Sequence, residues 1–586
     1  MTDATSAAPA MPASPTDPDF QRRVFPYRRA AELDAGGGAG ARHPVVVVGA
    51  GPVGLSLAID LAMQGLPVLL LDDDDRLSTG SRAICFAKRT LEIFDRLGCG
   101  DRIVAKGVSW HVGKVFLREH PLYRFDLLPE AGHRRPAFVN LQQYCVEGML
   151  AERATELPAI DLRWKSQVVG CEQHDDHVTL QVQTPDGNYA LRTAFVVACD
   201  GPRSTLRRLL GLQSQGRSFQ DRFLIADVKM AVDFPAERWF WFDPPFHPGQ
   251  SVLLHKQPDG VWRIDFQLGW DADPEREKQP ERIVPRVRAL LAASADPAMR
   301  EAEFSLEWAS VYSFSCQRLE SFRHRRVLFA GDSAHGVSPF GARGANSGVQ
   351  DADNLAWKLA AVLAGRAGDA LLDSYARERE FAADENIRHS TRATDFITPK
   401  SGASRVFRDA VLQLARSHPF ARALVNSGRL SVPATLDGSA LNSAPDAAEP
   451  PVSGAMRPGA AAADAPVAHD GRPGWLLRCL SGDGGGGQFS ALLFDGPHTG
   501  VQLAALQSAA EGLADLQLLR IGGSGELPGA TTLQDPLGLV RQRYDGRPGS
   551  VLLLRPDQHL CARWTNPDPQ ALAGQARDAL RRALCL

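Results

Sequence analysis

The stretch SPFGARGANSG, residues 338–348, sets glycines at 341, 344 and 348 around Pro339, Arg343 and Asn346, directly ahead of VQDADNLAWKLAAVLAG. Val349, Leu355, Leu359 and Val362 recur there at roughly helical spacing, which predicts a helix starting near Ala345. Such a helix start offers free backbone N–H groups and the positive end of a dipole. The chemistry it suits is binding an anion, or a group that becomes one.

A second glycine-rich turn, GAGPVG, follows four valines and precedes the apolar run GLSLAIDLAMQG. Gly49, Gly51 and Gly54 let the backbone approach a pyrophosphate at a helix start, and Asp72, in the next apolar run VLLLDD, can accept from a ribose hydroxyl. Strand, glycines, helix and acid in this order predict dinucleotide binding; a glycine-rich turn of an unrelated α/β protein is the plainer alternative. Asp73, Asp74 and Asp75 read as a solvated run. Two further turns between apolar strands and helices carry an acid beside a glycine: Asp200 and Gly201 in FVVACDGPRSTLRRLLG, and Gly331 and Asp332 in RVLFAGDSAHG.

These turns need elements to hold them. VVVVGA and VLLLDD with the helix between them make a βαβ start. Between about 220 and 318, FLIADVKMAV, ERWFWFDPP, QSVLLHKQ, VWRIDFQL and FSLEWASVYSFSC are extended, alternating and aromatic, which predicts an antiparallel sheet packed on the nucleotide domain. Residues 351–430 read as helical, and the tail alternates strands and helices. Expected boundaries are a disordered leader over 1–42, nucleotide-domain segments at 43–222 and 319–435, the sheet domain at 223–318, a low-complexity linker at 436–466 and an α/β domain at 467–586.

A chain of 586 residues exceeds what one core holds. Its net charge of -3 gives no polyanion-binding signature, so nucleic acid is not an expected partner. With no long apolar run and no secretory signal at the N-terminus, a cytoplasmic protein without membrane contact is expected. The nine cysteines show no CxxC and no paired histidines, so neither zinc nor dithiol chemistry is expected.

Taken in order, GAGPVG, CDGPRS and AGDSAH...PFGARGAN resemble the flavin-dependent aromatic hydroxylases with a single FAD-binding domain, a group that includes para-hydroxybenzoate, phenol and 3-(3-hydroxyphenyl)propionate hydroxylases. The resemblance covers about residues 44–400. It implies a Rossmann-type FAD-binding domain with an inserted antiparallel substrate sheet, and a C-terminal thioredoxin-like domain, here without CxxC, whose expected role is packing or homodimer contact. It also implies that NADH or NADPH reduces FAD, that O2 then forms a C4a-hydroperoxyflavin, and that oxygen passes to a phenolic ring, with a hydroxylated benzoate or phenylpropionate the expected substrate.

By the same resemblance Asp332 would bind the ribityl chain, Asp200 and Gly201 would lie near the flavin, and Arg82 and Gln143 would serve the pyrophosphate and adenosine side. Gln143 is preferred to Gln142 for its four-residue spacing to Glu147. The backbone of Gly341 to Asn346, including Gly344 and Ala345, would face the N1 and C2 carbonyl edge of the flavin. Arg343 would supply a cation there, its alternative being an ordinary surface arginine, and Pro339 would shape the wall beside the substrate ring. Arg263, Asp265 and Gln267 share one face by alternation, with His255 across a turn. Arg263 can hold a carboxylate, and His255 or Tyr312 can accept a phenol proton; a structural role is the alternative for each. Epoxidation or Baeyer-Villiger oxygenation uses the same flavin chemistry, and WFWFDP superficially resembles a halogenase signature.

Overall fold

The computed structural model describes residues 20–34, 42–78, 82–232, 235–294, 296–425, 430–444, 456–482 and 486–586. Its first sheet grows from the valine run. His43–Val48 pairs in parallel with Val68–Leu71 on one side and Gly187–Ala198 on the other, and Val45–Val48 are buried, as a strand covered on both faces requires. The path runs Arg323–His324, Val327–Phe329, Gly187–Ala198, His43–Val48, Val68–Leu71 and Ile160–Arg163, with an antiparallel extension through Val178–Thr184 and Gln167–Gln173. Helices Pro52–Met63 and Gly344–Leu363 pack against each other, so the two glycine-rich turns start neighbouring helices.

A second eight-stranded sheet runs His335–Gly336, Phe304–Leu319, Ser214–Met230, Val261–Leu268, Ser251–Lys256, Arg238–Phe242, Val112–Leu117 and His120–Asp126. Neighbours are antiparallel except Arg238–Phe242 beside Val112–Leu117. The boundary expected at 222/223 cuts the strand Ser214–Met230, because that strand continues from one sheet region into the other without a turn. The hairpin at 112–126, outside the expected 223–318 segment, completes the sheet.

Alternation gives this sheet two unlike faces. On one, Trp241, Val252, Leu254, Trp262, Ile264 and Phe266 form a core with helix Pro280–Ala292. The other carries the ranks Asp227–Arg263–His255 and Ile225–Asp265–Leu253–Phe240, read directly from the cross-strand register. Extending the pairing of Trp239 with Leu254 by one residue puts Arg238 beside His255 in the first rank. Farther along this face, Phe223, Phe242 and Phe314 pack with Phe340 of the 338–348 loop. The loop and the polar ranks therefore share one side of the sheet.

The tail folds as a five-stranded sheet in the order Thr531–Leu533, Leu516–Ile521, Phe489–Phe494, Val551–Leu554, Leu560–Trp564, the first three parallel and the last two antiparallel additions. Trp357 and Leu371 of the nucleotide side enter its core. A buried charge network crosses the same contact. Arg555 donates to Glu378 at 2.6 Å and to Asp557 at 2.6 Å, Lys358 donates to Glu378 at 2.7 Å, and Arg89 bridges Asp353 and the carbonyl of Asp557.

Two expectations about low-complexity segments are corrected. In the leader expected over 1–42, Phe20, Phe25 and Ala30 are buried in the nucleotide-domain core, with Phe25 stacked on Trp164; residues 1–19 and 35–41 lie outside the described residues. In the linker expected over 436–466, Leu436 and Leu441 are buried, and Met456, Ala460, Ala462 and Ala465 belong to the tail's core. Small apolar residues spaced among prolines and glycines bury well in an irregular segment that is hydrogen-bonded at its turns, as Leu436 N to Gly459 O at 2.8 Å shows. Residues 445–455 lie outside the described residues.

Candidate active site

The GAGPVG turn is built by close approach. A Cβ on Gly49, whose φ is +106°, would lie 2.4 Å from the Cys199 carbonyl oxygen, and one on Gly54 would lie 1.9 Å from the carbonyl oxygen of Gly49. Only glycine fits either position. Gly51 differs, since a Cβ there meets no atom of the described residues within 4 Å beyond its own chain neighbours and helix. It caps helix Pro52–Met63, which has no side-chain cap and no acid in its first turn, so its N-terminal field is left uncompensated. Asp72 Oδ2 accepts from Ala50 N at 2.6 Å, tying the turn to the neighbouring strand. Burial pushes the Asp72 carboxyl up to about 7, against the two N–H groups of Ala50 and Asp74 that it accepts.

The other two motifs supply acceptors. Asp200 Oδ2 accepts from Leu206 N at 3.0 Å while Oδ1 is buried without a partner among the described residues. Burial raises this carboxyl above its usual range. Gly331 has φ +66°, and its N–H donates to Asp351 Oδ2 at 2.9 Å. Asp332 is exposed, beside the start of helix Gly344–Leu363; a Cβ on Gly344 would come 4.0 Å from its Oδ1. Protein crowding around it raises its carboxyl, and His335 and Arg82 pull the other way. An open glycine at an uncapped helix start, an orphaned buried Asp200 oxygen and an exposed Asp332 carboxylate fit a dinucleotide with a polyhydroxyl chain.

Asp351, which the sequence did not single out, fixes the Gly331–Asp332 turn. It is fully buried and accepts from Gly331 N, from His335 Nε2 at 2.7 Å and from Arg379 Nε at 2.6 Å. Burial opposes its charge, but His335 and Arg379 overcome that and hold the carboxyl below the usual range. Asp351→Asn should cost about 2 kcal/mol of stability in urea unfolding, the size of a hydrogen bond to a charged group, and should weaken flavin retention. An unchanged midpoint together with unchanged flavin content would remove Asp351 from this role.

In the 338–348 loop, helix Gly344–Leu363 starts one residue before the expected Ala345, with no acid in its first turn. Gly341 has φ +106° and Ala342 φ +53°, so the chain doubles back just ahead of the helix. Arg343 is only 5% exposed, which excludes an ordinary surface arginine. Its Nη1 donates to Asn386 Oδ1 at 2.9 Å on helix Ala370–Ile397. Asn346, whose backbone is expected to face the flavin, uses its side chain on the protein itself. Its side-chain oxygen accepts from Ala87 N at 2.8 Å, and its Nδ2 donates to the carbonyls of Cys85 and Ala342, so the side chain clamps the loop to strand Cys85–Ala87. Only its backbone can serve a ligand. Pro339 is exposed on the loop, and Ala345 is half-buried.

Gln143 and Glu147 meet as their spacing predicts, Nε2 to Oε1 at 2.7 Å, and Gln143 Oε1 accepts from Ala83 N at 3.0 Å. Both ends of that amide are thus occupied, whereas the Oε1 of Gln142 is buried without a partner among the described residues. Arg82, which precedes Ala83 in the chain, is exposed, and its carbonyl accepts from Arg263 Nη1 at 3.1 Å. That bond joins the nucleotide side to the polar rank of the large sheet.

In that rank Arg263 Nε pairs with Asp227 at 3.1 Å while Nη2 is buried and unpartnered among the described residues. His255 is buried, and burial, then Arg238 and Arg263, push its pKa well below the usual value. Tyr312 is 42% exposed, its hydroxyl pushed up to about 12 by the protein around it and by Asp332. Trp239 and Trp241 of WFWFDP belong to the opposite face, with Trp241 in its buried core, and Lys106 and Lys114 pair with Asp259 and Glu237. The sequence passed over Arg238, whose place on the flavin-loop face follows from extending the alternation of Phe242 and Phe240 by one step.

Residues 42–390 match the family model of the FAD binding domain, and the chain belongs to that family. It is an FAD-dependent monooxygenase of the aromatic-hydroxylase class, whose members typically use NAD(P)H. The chain is 30% identical over 547 residues to 6-methylpretetramide 4-monooxygenase of Streptomyces rimosus, covering 89% of this chain and 90% of that one. It is 29% identical over 427 residues to a 3-(3-hydroxy-phenyl)propionate/3-hydroxycinnamic acid hydroxylase of Mycobacterium avium (strain 104), covering 70% of each. Among solved structures, the flavin-dependent monooxygenase PieE, in complex with FAD and substrate, superposes with TM-score 0.76 at 22% identity, covering 93% of this chain and 100% of that one. No helix of the described residues is long and apolar enough to cross a membrane.

Proposed function

We propose that this enzyme hydroxylates a phenolic aromatic acid of the hydroxybenzoate or hydroxyphenylpropionate type. The observation that carries the reading is the polar rank on the flavin-loop face of the large sheet, where, among the described residues, Arg263 Nη2 is buried without a partner and Arg238 pairs with no carboxylate. Arg263 Nη2 would take the substrate carboxylate as a charge-assisted hydrogen bond. Phe242, Phe223 and Phe314 on the same face would pack the ring, with Pro339 at its wall.

FAD, when bound, supplies reduction by NAD(P)H and activation of O2. Around it, Gly51 and the start of helix Pro52–Met63 would receive the pyrophosphate, Asp72 the ribose, and Asp332 and Asp200 the hydroxyl-rich chain and its surroundings. The N–H groups from Gly344 to Asn346 would point at the flavin's carbonyl edge, where a preorganised positive field favours negative charge. Arg343, turned to Asn386, would add to that field from behind the loop instead of touching the ring. The tail, with its mixed sheet and no CxxC, is read as thioredoxin-like and as packing against the nucleotide domain without redox chemistry.

The test is anaerobic reduction of the purified holoenzyme by NADH and by NADPH, with and without hydroxybenzoates, 3-(3-hydroxyphenyl)propionate and 4-nitrophenol. The expected result is reduction accelerated at least about tenfold by one aromatic and, on admitting O2, its ring-hydroxylated product, since substrate binding and orientation contribute factors of that size and more. Equal reduction without any aromatic, or an epoxide or ester as product, would sink this reading.

A further inference from the structure

The large sheet holds two charged groups that its own contacts leave unsatisfied. Arg238 is 8% exposed, and among the described residues no hydrogen bond or ion pair reaches it. Asp265 lies one rank along the same face, and its Oδ1 is buried with no hydrogen-bond partner among the described residues. Each feels the other's charge without touching it. Leaving a cation and an anion desolvated and unbonded is costly, and such pairs persist where a third group completes them. Cys85, half-buried on the strand clamped by Asn346, brings its Sγ to 4.0 Å from Nδ1 of His255, which stands between Arg263 and Arg238, so this face of the sheet looks toward the nucleotide side.

Resting on the hydroxylase reading above, we propose that Arg238 and Asp265 receive the phenolic hydroxyl of the substrate, Asp265 taking its proton and Arg238 pairing with the phenolate. The O–H bond of the phenol breaks, its proton passes to Asp265 Oδ1, and the electron pair stays on the phenolate oxygen beside the guanidinium. The cluster's net charge does not change, so no further ion has to enter the buried site. A phenolate ring is richer in electrons at the ortho and para carbons, where hydroxylation occurs.

The neighbouring titratable groups are poorer acceptors. His255 is held neutral and weakly basic, Cys85 is pushed up to about 11 by burial, and Tyr312 up to about 12. Asp265 faces Arg263 on its own strand, His255 and Arg238 on one side, Asp227 on the other and Cys85 across the gap. Burial raises its carboxyl to about 6, with Arg263 and Arg238 limiting the rise and Asp227 adding to it. A carboxyl with a raised value is ionised above that value and protonated below it. The ability to take a proton is therefore present at pH 7 and lost as pH falls through about 6.

The probe is 4-nitrophenol, whose phenolate is yellow, bound to holoenzyme with its FAD content measured in each variant. In the wild type the yellow band should develop on binding below the pH at which the free probe ionises. Arg238→Met should move that onset upward by at least one pH unit, a tenfold change in ionisation, and Arg238→Lys should restore part of it. Asp265→Asn should retain FAD, slow turnover about 100-fold and remove the acid limb near pH 6. An onset unchanged in Arg238→Met, no bound phenolate in the wild type, or an acid limb that survives in Asp265→Asn overturns the proposal. If both Arg238 variants lose FAD, Asp265→Asn decides alone. A wild type that hydroxylates no phenol defeats the hydroxylase reading itself; one that does so while the variants keep its pH behaviour defeats only this assignment.

Discussion

Gly54→Val is expected to give a protein that carries no flavin. The added Cβ would lie 1.9 Å from the Gly49 carbonyl oxygen and 3.2 Å from the Cys199 Cβ, and neither backbone can yield without moving helix Pro52–Met63 off its sheet. Once the helix start shifts, the N–H groups that would hold the pyrophosphate no longer converge. Absorbance of the purified protein reads the flavin, and circular dichroism reads the fold. Gly51→Ala separates cofactor from scaffold, because nothing among the described residues opposes its methyl. It should melt like the wild type as apoprotein yet bind FAD at least about tenfold more weakly, the effect of one poorly placed group in a tight site. Full flavin in Gly54→Val, or undiminished affinity in Gly51→Ala, would show that this turn is not the cradle.

Arg555→Ala should destabilise the whole enzyme by about 3–5 kcal/mol, as removing one partner from a buried ion cluster does. Arg555 lies in the tail, but Glu378 and Lys358, which it serves directly or through Glu378, lie on helices of the nucleotide side. Its loss leaves the Glu378 and Asp557 carboxylates facing each other in a dry contact, with Lys358, Asn354, Ser439 and the His559 N–H left to offset them. Denaturant unfolding should change from one transition to two, the earlier one reporting release of the tail. A single transition at the wild-type midpoint would mean that the cluster does not hold the units together.

The parts of the fold carried by local pattern were legible in the sequence. Four consecutive valines before a glycine turn can hardly be anything but a central parallel strand, and 263, 265 and 267 alternate onto one face as a strand must. Parts fixed by distant contact were hidden. Strand Val112–Leu117 joins the large sheet from outside its expected segment, because only the parallel pairing with Arg238–Phe242 places it there. The side chain of Asn346 is a clamp that no local pattern announces, since Cys85 and Ala87, two of its three partners, are far away in sequence. Asp351 lies one helical stretch past the loop and looks like any acid on a polar face until His335 and Arg379 are seen beside it. Leu436 and Leu441 sit in a segment whose composition says linker, yet each finds a buried seat, because a few apolar side chains suffice when the neighbouring sheet leaves a groove.

The two-faced sheet has a consequence for descent. Positions 238, 240, 253, 255, 263 and 265 point toward the flavin loop, while the residues between them build the core against helix Pro280–Ala292. Selection for a new ring and selection for a folded sheet therefore act on different residues of the same strands. A lineage can exchange one set while the other keeps the enzyme intact, without passing through unfolded ancestors. Relatives at 30% and 29% identity, one named for a pretetramide and one for a phenylpropionate, are the kind of divergence such an arrangement permits.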